Sequence, residues 1–546
     1  MSASSKKKLR NAQAAEKMTE RQMAEQKEAK KLKTYTIVFS VVLVVMLVVA
    51  IGTVAYRTVT TSGILERSTV AATVGGHDLT SEELNYYYID YINNAFSDQS
   101  SYLAYFVDTT KPLDEQTCAF TQDGTWADYF LNEALKSAAS TYALVDAAKA
   151  AGHELTDAEK AQIETSIINA TAYAKVYYGA SDFKTYLKGM YGNGASEKGY
   201  RAYMENSMLA SSYYNAYTGE ISVTADEIRA EDAENPLDYN SYSYNYYYVS
   251  AEDFLVGGTT AEDGTVTYSD EEKAAALVAA EAAAEKLIGE EVTSLEDLEK
   301  AITVIDEDGK TLECNNYAYS SLLAVAQEWI ADESRVAGDK NYFPYSTHTH
   351  AEGETHSEDE DTSAYDVVKG YYVVYFNSST DNNTEMVNIR HALITEGGTR
   401  NTSTGMFEYT DDMAAAKAKA EELYAQWKTG DMTEESFAEL ANTQSSDSDG
   451  TDGGLYENVY TGQMVEAFDD WCFDAARKPG DTGIVQTEFG YHIMYFVGTS
   501  ENTYRDYMIE SKLINSEIEV WYTALIENVT SELKDTKYIL TDLVLR

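Results

Sequence analysis

From Thr34 to Tyr56 no residue carries a charge, and Ile37-Val38-Phe39 and Val41 to Ile51 are almost wholly apolar. About 20 such residues in a helix span the hydrocarbon core of a bilayer. This run splits the chain into a short leader and a long remainder, and the two differ in charge. The net charge is −50; residues 1–33 hold ten Lys/Arg against four Glu, a balance of +6, so the remainder carries −56. Basic flanks stay on the cytoplasmic side, which puts the N-terminus inside and the acidic bulk outside. A cleaved signal peptide and a buried core helix are the competing readings. Signal h-regions are shorter, about 7–15 residues, and follow a brief basic segment. A single-pass anchor in the cytoplasmic membrane, residues 34–56, is therefore expected after a basic cytoplasmic segment, 1–33. That segment, Lys6-Lys7-Lys8 through Lys30-Lys31, suits anionic headgroups and acts as a topology signal. Nucleic-acid binding would need far more positive surface, so no nucleic-acid partner is expected.

A chain of 546 residues with 44% hydrophobic content holds several ordinary cores. Cys118, Cys314 and Cys472 are too far apart for a disulfide framework or metal spacing. Forty-five tyrosines against four prolines are unusual, and strand propensity is the one sequence-level reason available.

The most ordered pattern lies between Asn388 and Ser500. Asn388-Ile389-Arg390-His391-Ala392-Leu393-Ile394 alternates as a half-buried strand that carries a histidine. Asp411 and Asp412 begin a helix carried by Ala414 to Lys428 and ended by Gly430. Thr433 caps a second helix, with Glu434 and Glu435 in its first turn and Phe437, Leu440 and Ala441 as its apolar stripe. Then come Ser445-Ser446-Asp447, a Gly-rich turn at Gly450 to Gly454, and Gly462-Gln463-Met464-Val465-Glu466-Ala467-Phe468 leading into a helix stopped by Pro479-Gly480. Thr487-Glu488-Phe489-Gly490-Tyr491-His492-Ile493-Met494-Tyr495-Phe496 turns into a second histidine strand.

Seven pieces in this order resemble the parvulins, the small peptidyl-prolyl cis/trans isomerase domains. The resemblance implies that His391 and His492 lie close together at the sheet centre with Thr487 bonded to one imidazole. It implies Asp447 near the reacting carbonyl, and Leu455, Met464 and Phe468 as an apolar cup for a proline ring. No cofactor or nucleophile is implied. The chain departs from the family at Gly453-Gly454-Leu455-Tyr456-Glu457, where the usual G-G-D-L-G lacks its Asp and last Gly. A phosphate-binding basic loop is absent from Glu396-Gly397-Gly398-Thr399-Arg400, so phosphopeptide preference is not expected.

Nearer the N-terminus, Val70-Ala71-Ala72-Thr73-Val74-Gly75-Gly76-His77-Asp78-Leu79-Thr80 and Ser81-Glu82-Glu83-Leu84 read as strand, turn and capped helix. This resembles the start of extracytoplasmic foldase chaperones of the SurA and PrsA kind. Residues 126–220 are helical in pattern, and Thr224 caps another helix. In such chaperones the C-terminus returns to complete the N-terminal module. Tyr504 to Leu533 carries a helical stripe, and Tyr538-Ile539-Leu540 and Leu543-Val544-Leu545 read as strand.

Trp329 to Asp339 echoes Trp471 to Asp481, and Gly370-Tyr371-Tyr372-Val373-Val374-Tyr375-Phe376 echoes Gly490 to Phe496. Residues 236–385 are read as a second, degenerate parvulin-like unit with Tyr372 and Tyr246 in place of the histidines. Within it His348, His350 and His356 precede Glu358-Asp359-Glu360-Asp361. This is a weak metal candidate beside the plainer reading of a solvated acidic loop.

The fold class expected is α+β. A parvulin domain, an antiparallel sheet covered by helices, occupies 386–500, in tandem with the degenerate copy at 236–385. A mainly helical chaperone module at 68–235 is completed by 501–546, and one transmembrane helix lies at the N-terminus. The function expected is isomerisation of X-Pro bonds in unfolded or partly folded exported polypeptides, combined with chaperone action. A non-catalytic holdase or scaffold is the alternative.

Overall fold

The computed structural model describes residues 3–16, 20–97, 102–348, 366–401, 406–409, 413–447 and 452–545. Helix Glu20–Thr61 contains the apolar run. Among the described residues it is the one helix long and apolar enough to cross a membrane, and none of its apolar window is buried. A helix apolar on every side and uncovered by protein matches lipid as its surroundings.

The chain divides into two compact units, one built from 1–221 with 517–546 and the other from 222–516. In the first, strands Val70–Val74 and His77–Thr80 form a hairpin turned by Gly75 and Gly76. Both glycines have positive φ, +55° and +85°, as a tight two-residue turn demands. Thr80 caps helix Ser81–Ala95 in a reciprocal box with Glu83. Helices Trp126–Ala151, Asp157–Tyr177, Phe183–Tyr191 and Glu197–Glu220 follow. Tyr86, Tyr88 and Trp126 are among the largest fully buried side chains. Tyr191 and Tyr203 donate to Asp90 at 2.8 and 2.9 Å, and their rings pack on Tyr86. Part of the tyrosine excess is thus spent in a helical core, not in strands.

The returning segment corrects one expectation. The strand lies at Ser531–Leu533, antiparallel to Val70–Val74, and not at 538–545. Residues 538–545 satisfy their backbone differently: Asn85 donates to Tyr538 O at 3.0 Å and accepts from Leu540 N at 3.1 Å, while Leu113 N donates to Leu543 O. Ile539 is buried and Leu540, Leu543 and Leu545 pack on the helical core, so the apolar run fills a groove without a ladder.

In the second unit, residues assigned by sequence to the helical module are held elsewhere. Ile228 of helix Ala225–Glu234 and Ile509 of helix Tyr504–Ile526 are buried together with Tyr239. Arg505 binds Asp232, Asn240 and the carbonyls of Pro236 and Asp381. The module boundaries therefore fall near 221 and 517 rather than 235 and 501.

Two four-stranded antiparallel sheets occupy this unit. One is ordered Leu312–Ala318, Ser241–Ser250, Asp366–Thr380, Lys340–His348; the other Leu455–Val459, Glu385–Ile394, Gly490–Thr503, Thr482–Thr487. Numbered by chain order, both run second, first, fourth, third. Their registers also agree: Tyr246 faces Val374 and Tyr248 faces Tyr372, as His391 faces Met494 and Leu393 faces His492. Gly338 N and Asp339 O clasp Phe376 as Gly480 N and Asp481 O clasp Phe496. Arg335 lies over Trp329, and Arg477 over Trp471.

The histidine-bearing sheet is buried on both faces. Ala392, Ile394, Tyr491, Ile493 and Tyr495 meet helices Ala414–Trp427 and Glu434–Gln444. Val387, Ile389, Met494 and Phe496 meet helix Glu466–Cys472. Strand alternation puts His391 and His492 on this second face. Asp411 and Asp412, expected to begin the first helix, lie outside the described residues, as do Gly450, His350 and His356. His348 is described only as the last residue of its strand.

Candidate active site

His391 and His492 are 3% and 5% exposed, on neighbouring central strands two ladder steps apart. Their Nδ1 atoms stand 3.2 Å from one another. Thr487, at the end of the edge strand beside His492, places Oγ1 2.8 Å from His492 Nε2 and accepts the Phe489 N–H at 3.2 Å. At the other end His391 Nε2 faces Asp447 Oδ2 at 3.5 Å.

These contacts suit one proton order. A carboxylate only accepts, so with the His391 proton on Nε2, toward Asp447, its Nδ1 is the acceptor of the pair. His492 then donates from Nδ1, its Nε2 is bare, and the Thr487 hydroxyl donates to it. His492 is neutral in this arrangement. Burial, and next the neighbouring His391, hold the His492 pKa down at about 3.

Asp447 is brought here by a turn pinned to the His391 strand. Leu393 N donates to Ser445 Oγ at 3.0 Å, Ser446 N donates to Leu393 O at 2.7 Å, and Asp447 N donates to Ser445 Oγ at 3.1 Å. Gly454 lets the next strand approach. Its φ is +64°, His391 N donates to its carbonyl at 2.9 Å, and a Cβ there would meet His391 O at 2.1 Å. The close turn is thus kept although the expected Asp and last Gly are missing.

The polar chain forms part of the wall of a cavity of about 480 Å³, bounded also by Tyr456, Met464, Val465 and Phe468. Phe468 stands edge-on to both imidazoles, with ring centroids 5.4 and 5.2 Å away. Such a volume takes one small ring with its flanking backbone.

Of the residues expected from sequence, His391, His492, Asp447, Met464 and Phe468 border this cavity, and Thr487 backs it through His492. Leu455 does not. It pairs across from Arg390, on the face covered by the two longer helices, while Tyr456 pairs across from Ile389 on the histidine face. Period-2 alternation therefore gives Tyr456 the place assigned to Leu455. Its ring stands edge-on to His391 with centroids 4.5 Å apart, and its hydroxyl donates to Asp447 Oδ2 at 3.1 Å. Arg400, Phe407, Gln463 and Phe489 also line the cavity and were not foreseen. The alternation of the strand after Gly453-Gly454 was the signal for Tyr456; Arg400 and Phe407 pair across a hairpin of three-residue strands, too short to show periodicity, and Gln463 and Phe489 lie in turns.

A family model described as a PPIC-type PPIASE domain matches residues 371–498. Foldase protein PrsA 1 of Listeria innocua serovar 6a is 32% identical over 128 residues, 23% of this chain and 39% of that protein. Foldase protein PrsA 1 of Listeria monocytogenes serotype 4b is 32% identical over 126 residues, with the same shares. This chain thus spans 39% of the length of the curated relatives it matches. A superposition on the crystal structure of PrsA from Bacillus subtilis covers 78% of this chain and 98% of that one, at 14% identity and a TM-score of 0.27. The bearing on function comes from the match over 371–498.

Proposed function

We propose, from the premise that this chain carries a parvulin-type (PPIC-type) peptidyl-prolyl isomerase domain, that it isomerises X-Pro bonds in unfolded polypeptides. An X-Pro bond rotates in tens to hundreds of seconds because rotation destroys amide resonance, a barrier of about 18–20 kcal/mol. Catalysis means binding the twisted amide better than either planar form. Met464 and Phe468 would grip the proline ring, and filling the cup would exclude water from the turning bond. His391, His492, Thr487 and Asp447 would form a preset array of dipoles and one charge beside the carbonyl as its conjugation is lost. No covalent step or cofactor enters.

The observation that carries this reading is the four-membered chain of polar contacts at the wall of an apolar cup. The experiment is NMR exchange on a proline peptide with catalytic amounts of the protein. Acceleration supports the isomerase; an unchanged exchange rate removes it and leaves the holdase or scaffold.

The wider reading rests on the rest of the chain. Residues 34–56 would anchor it in the cytoplasmic membrane with the N-terminus inside, so that the isomerase meets exported polypeptides at the outer face. The helical module would hold clients. Residues 236–385 would be a silent copy: Tyr246 and Tyr372 occupy the ladder positions of the two histidines, with ring centroids 5.7 Å apart. Tyr345, across from Gly370, sits where Thr487 sits across from Gly490. No imidazole remains at those positions.

A further inference from the structure

Resting on the isomerase reading, we propose that Tyr456 is a positioning residue, which holds the Asp447 carboxylate against His391 and thereby fixes which nitrogen of each imidazole carries the proton. Its phenol donates to Asp447 Oδ2 at 3.1 Å, and the same oxygen faces His391 Nε2 at 3.5 Å. One side chain thus touches both members of the pair, the carboxylate through its hydroxyl and the imidazole through its ring.

The placement needs such a hold. Asp447 extends from a turn whose backbone is pinned at Ser445 and Ser446, but its own side chain is 29% exposed, and an Asp side chain has several staggered rotamers to choose from. Only the rotamer aimed at His391 completes the proton order. A hydrogen bond to a carboxylate is among the stronger kinds, and this donor comes from a ladder-held strand of fixed position. Leucine or phenylalanine at 456 would wall the cavity as well but would donate nothing. With the carboxylate swung away, His391 could carry its proton on Nδ1, opposing the donor of His492, and the order from Thr487 onward would be lost.

The test is a double-mutant cycle on the full chain: Tyr456→Phe, Asp447→Ala and both together, with kcat and KM from proline-peptide exchange. Tyr456→Phe keeps the ring and should lower kcat roughly three- to tenfold, within what a charge-assisted hydrogen bond supplies. KM should stay within about twofold. On the Asp447→Ala background the same change should have no further effect. Nitrogen-15 imidazole shifts should show one His391 tautomer, protonated at Nε2, in the wild type and a mixture in Tyr456→Phe. Effects that multiply in the double variant, or a rise in KM alone with the tautomer unchanged, would make Tyr456 a wall residue and overturn the proposal. If the wild type leaves proline exchange untouched, the isomerase reading falls, and the imidazole spectrum still decides whether Tyr456 sets the tautomer.

Discussion

A histidine whose ring cannot take up a proton makes a poor acid but a dependable dipole, and this is how His492 is set. Its pKa of about 3 lies below the ordinary 6.5, chiefly through burial. The sign for stability follows. Between those values the unfolded chain binds a proton that the folded one refuses, so stability is full above about pH 6.5 and falls as pH drops toward 3. The slope should approach about 1.4 kcal/mol per pH unit, seen as a falling urea midpoint. His492→Gln should flatten that dependence; an unchanged slope would contradict it. In catalysis, His391→Ala and His492→Ala should each lower kcat about 10- to 100-fold with KM little changed, because the pair acts on the twisted amide. Phe468→Ala should instead raise KM, about tenfold, through lost apolar contact. The histidines were legible because a histidine inside an apolar alternation is conspicuous. Tyr456 was not, because order of motif pieces drew attention to Leu455 while strand parity decides which of two neighbours faces the site.

Elements were read best where a polar cap announces them. Thr80, Thr224 and Thr433 each cap the helix expected after them. The C-terminal strand was misplaced because apolar density marks burial and not pairing, and a segment fixed by one asparagine buries as well as a strand does. The register of the first sheet rests on less in the sequence: Tyr242, Tyr244, Tyr246, Tyr247 and Tyr248 are too alike to align by type alone, and the ladder sets Tyr246 across from Val374. At this scale the turn before strand Leu455–Val459 is the sensitive joint. Gly454→Ala forces a Cβ to within 2.1 Å of His391 O at a φ of +64°. It should cost at least about 1–3 kcal/mol and reduce activity by shifting the His391 strand. Gly430→Ala, which meets nothing closer than 3.4 Å, should cost about 0.5 kcal/mol or less. Equal melting shifts for the two would show that the close approach is not what the glycine serves.

For the whole molecule, the two like sheets invite a division of labour that fragments can check. Residues 386–500 alone should accelerate proline exchange and 236–385 should fold without doing so; activity in the latter would refute the assignment of Tyr246 and Tyr372 as lost catalytic positions. The charge asymmetry is tested separately. Protease added to protoplasts should digest residues 57–546 and spare a tag before Lys6, whereas a soluble fragment starting near Tyr56 would mean cleavage. Composition made the long apolar helix legible, since lipid imposes one simple demand. It left the unit boundaries open, because they depend on contacts such as Arg505 with Asp381 O that join segments distant in sequence. One such long-range feature bears on how the chain is made. Asn85 and Tyr538, bonded across 453 residues, belong to the same unit as the hairpin completed by Ser531–Leu533. At about 5–20 residues per second, some 20 to 90 s of synthesis separate them. Over that interval the part of the chain just after the apolar helix must persist with an open sheet edge and an uncovered groove, while the intervening unit has all its strands and can close first. A released chain that ends at residue 516 should therefore already isomerise proline peptides while its first helices remain open to protease.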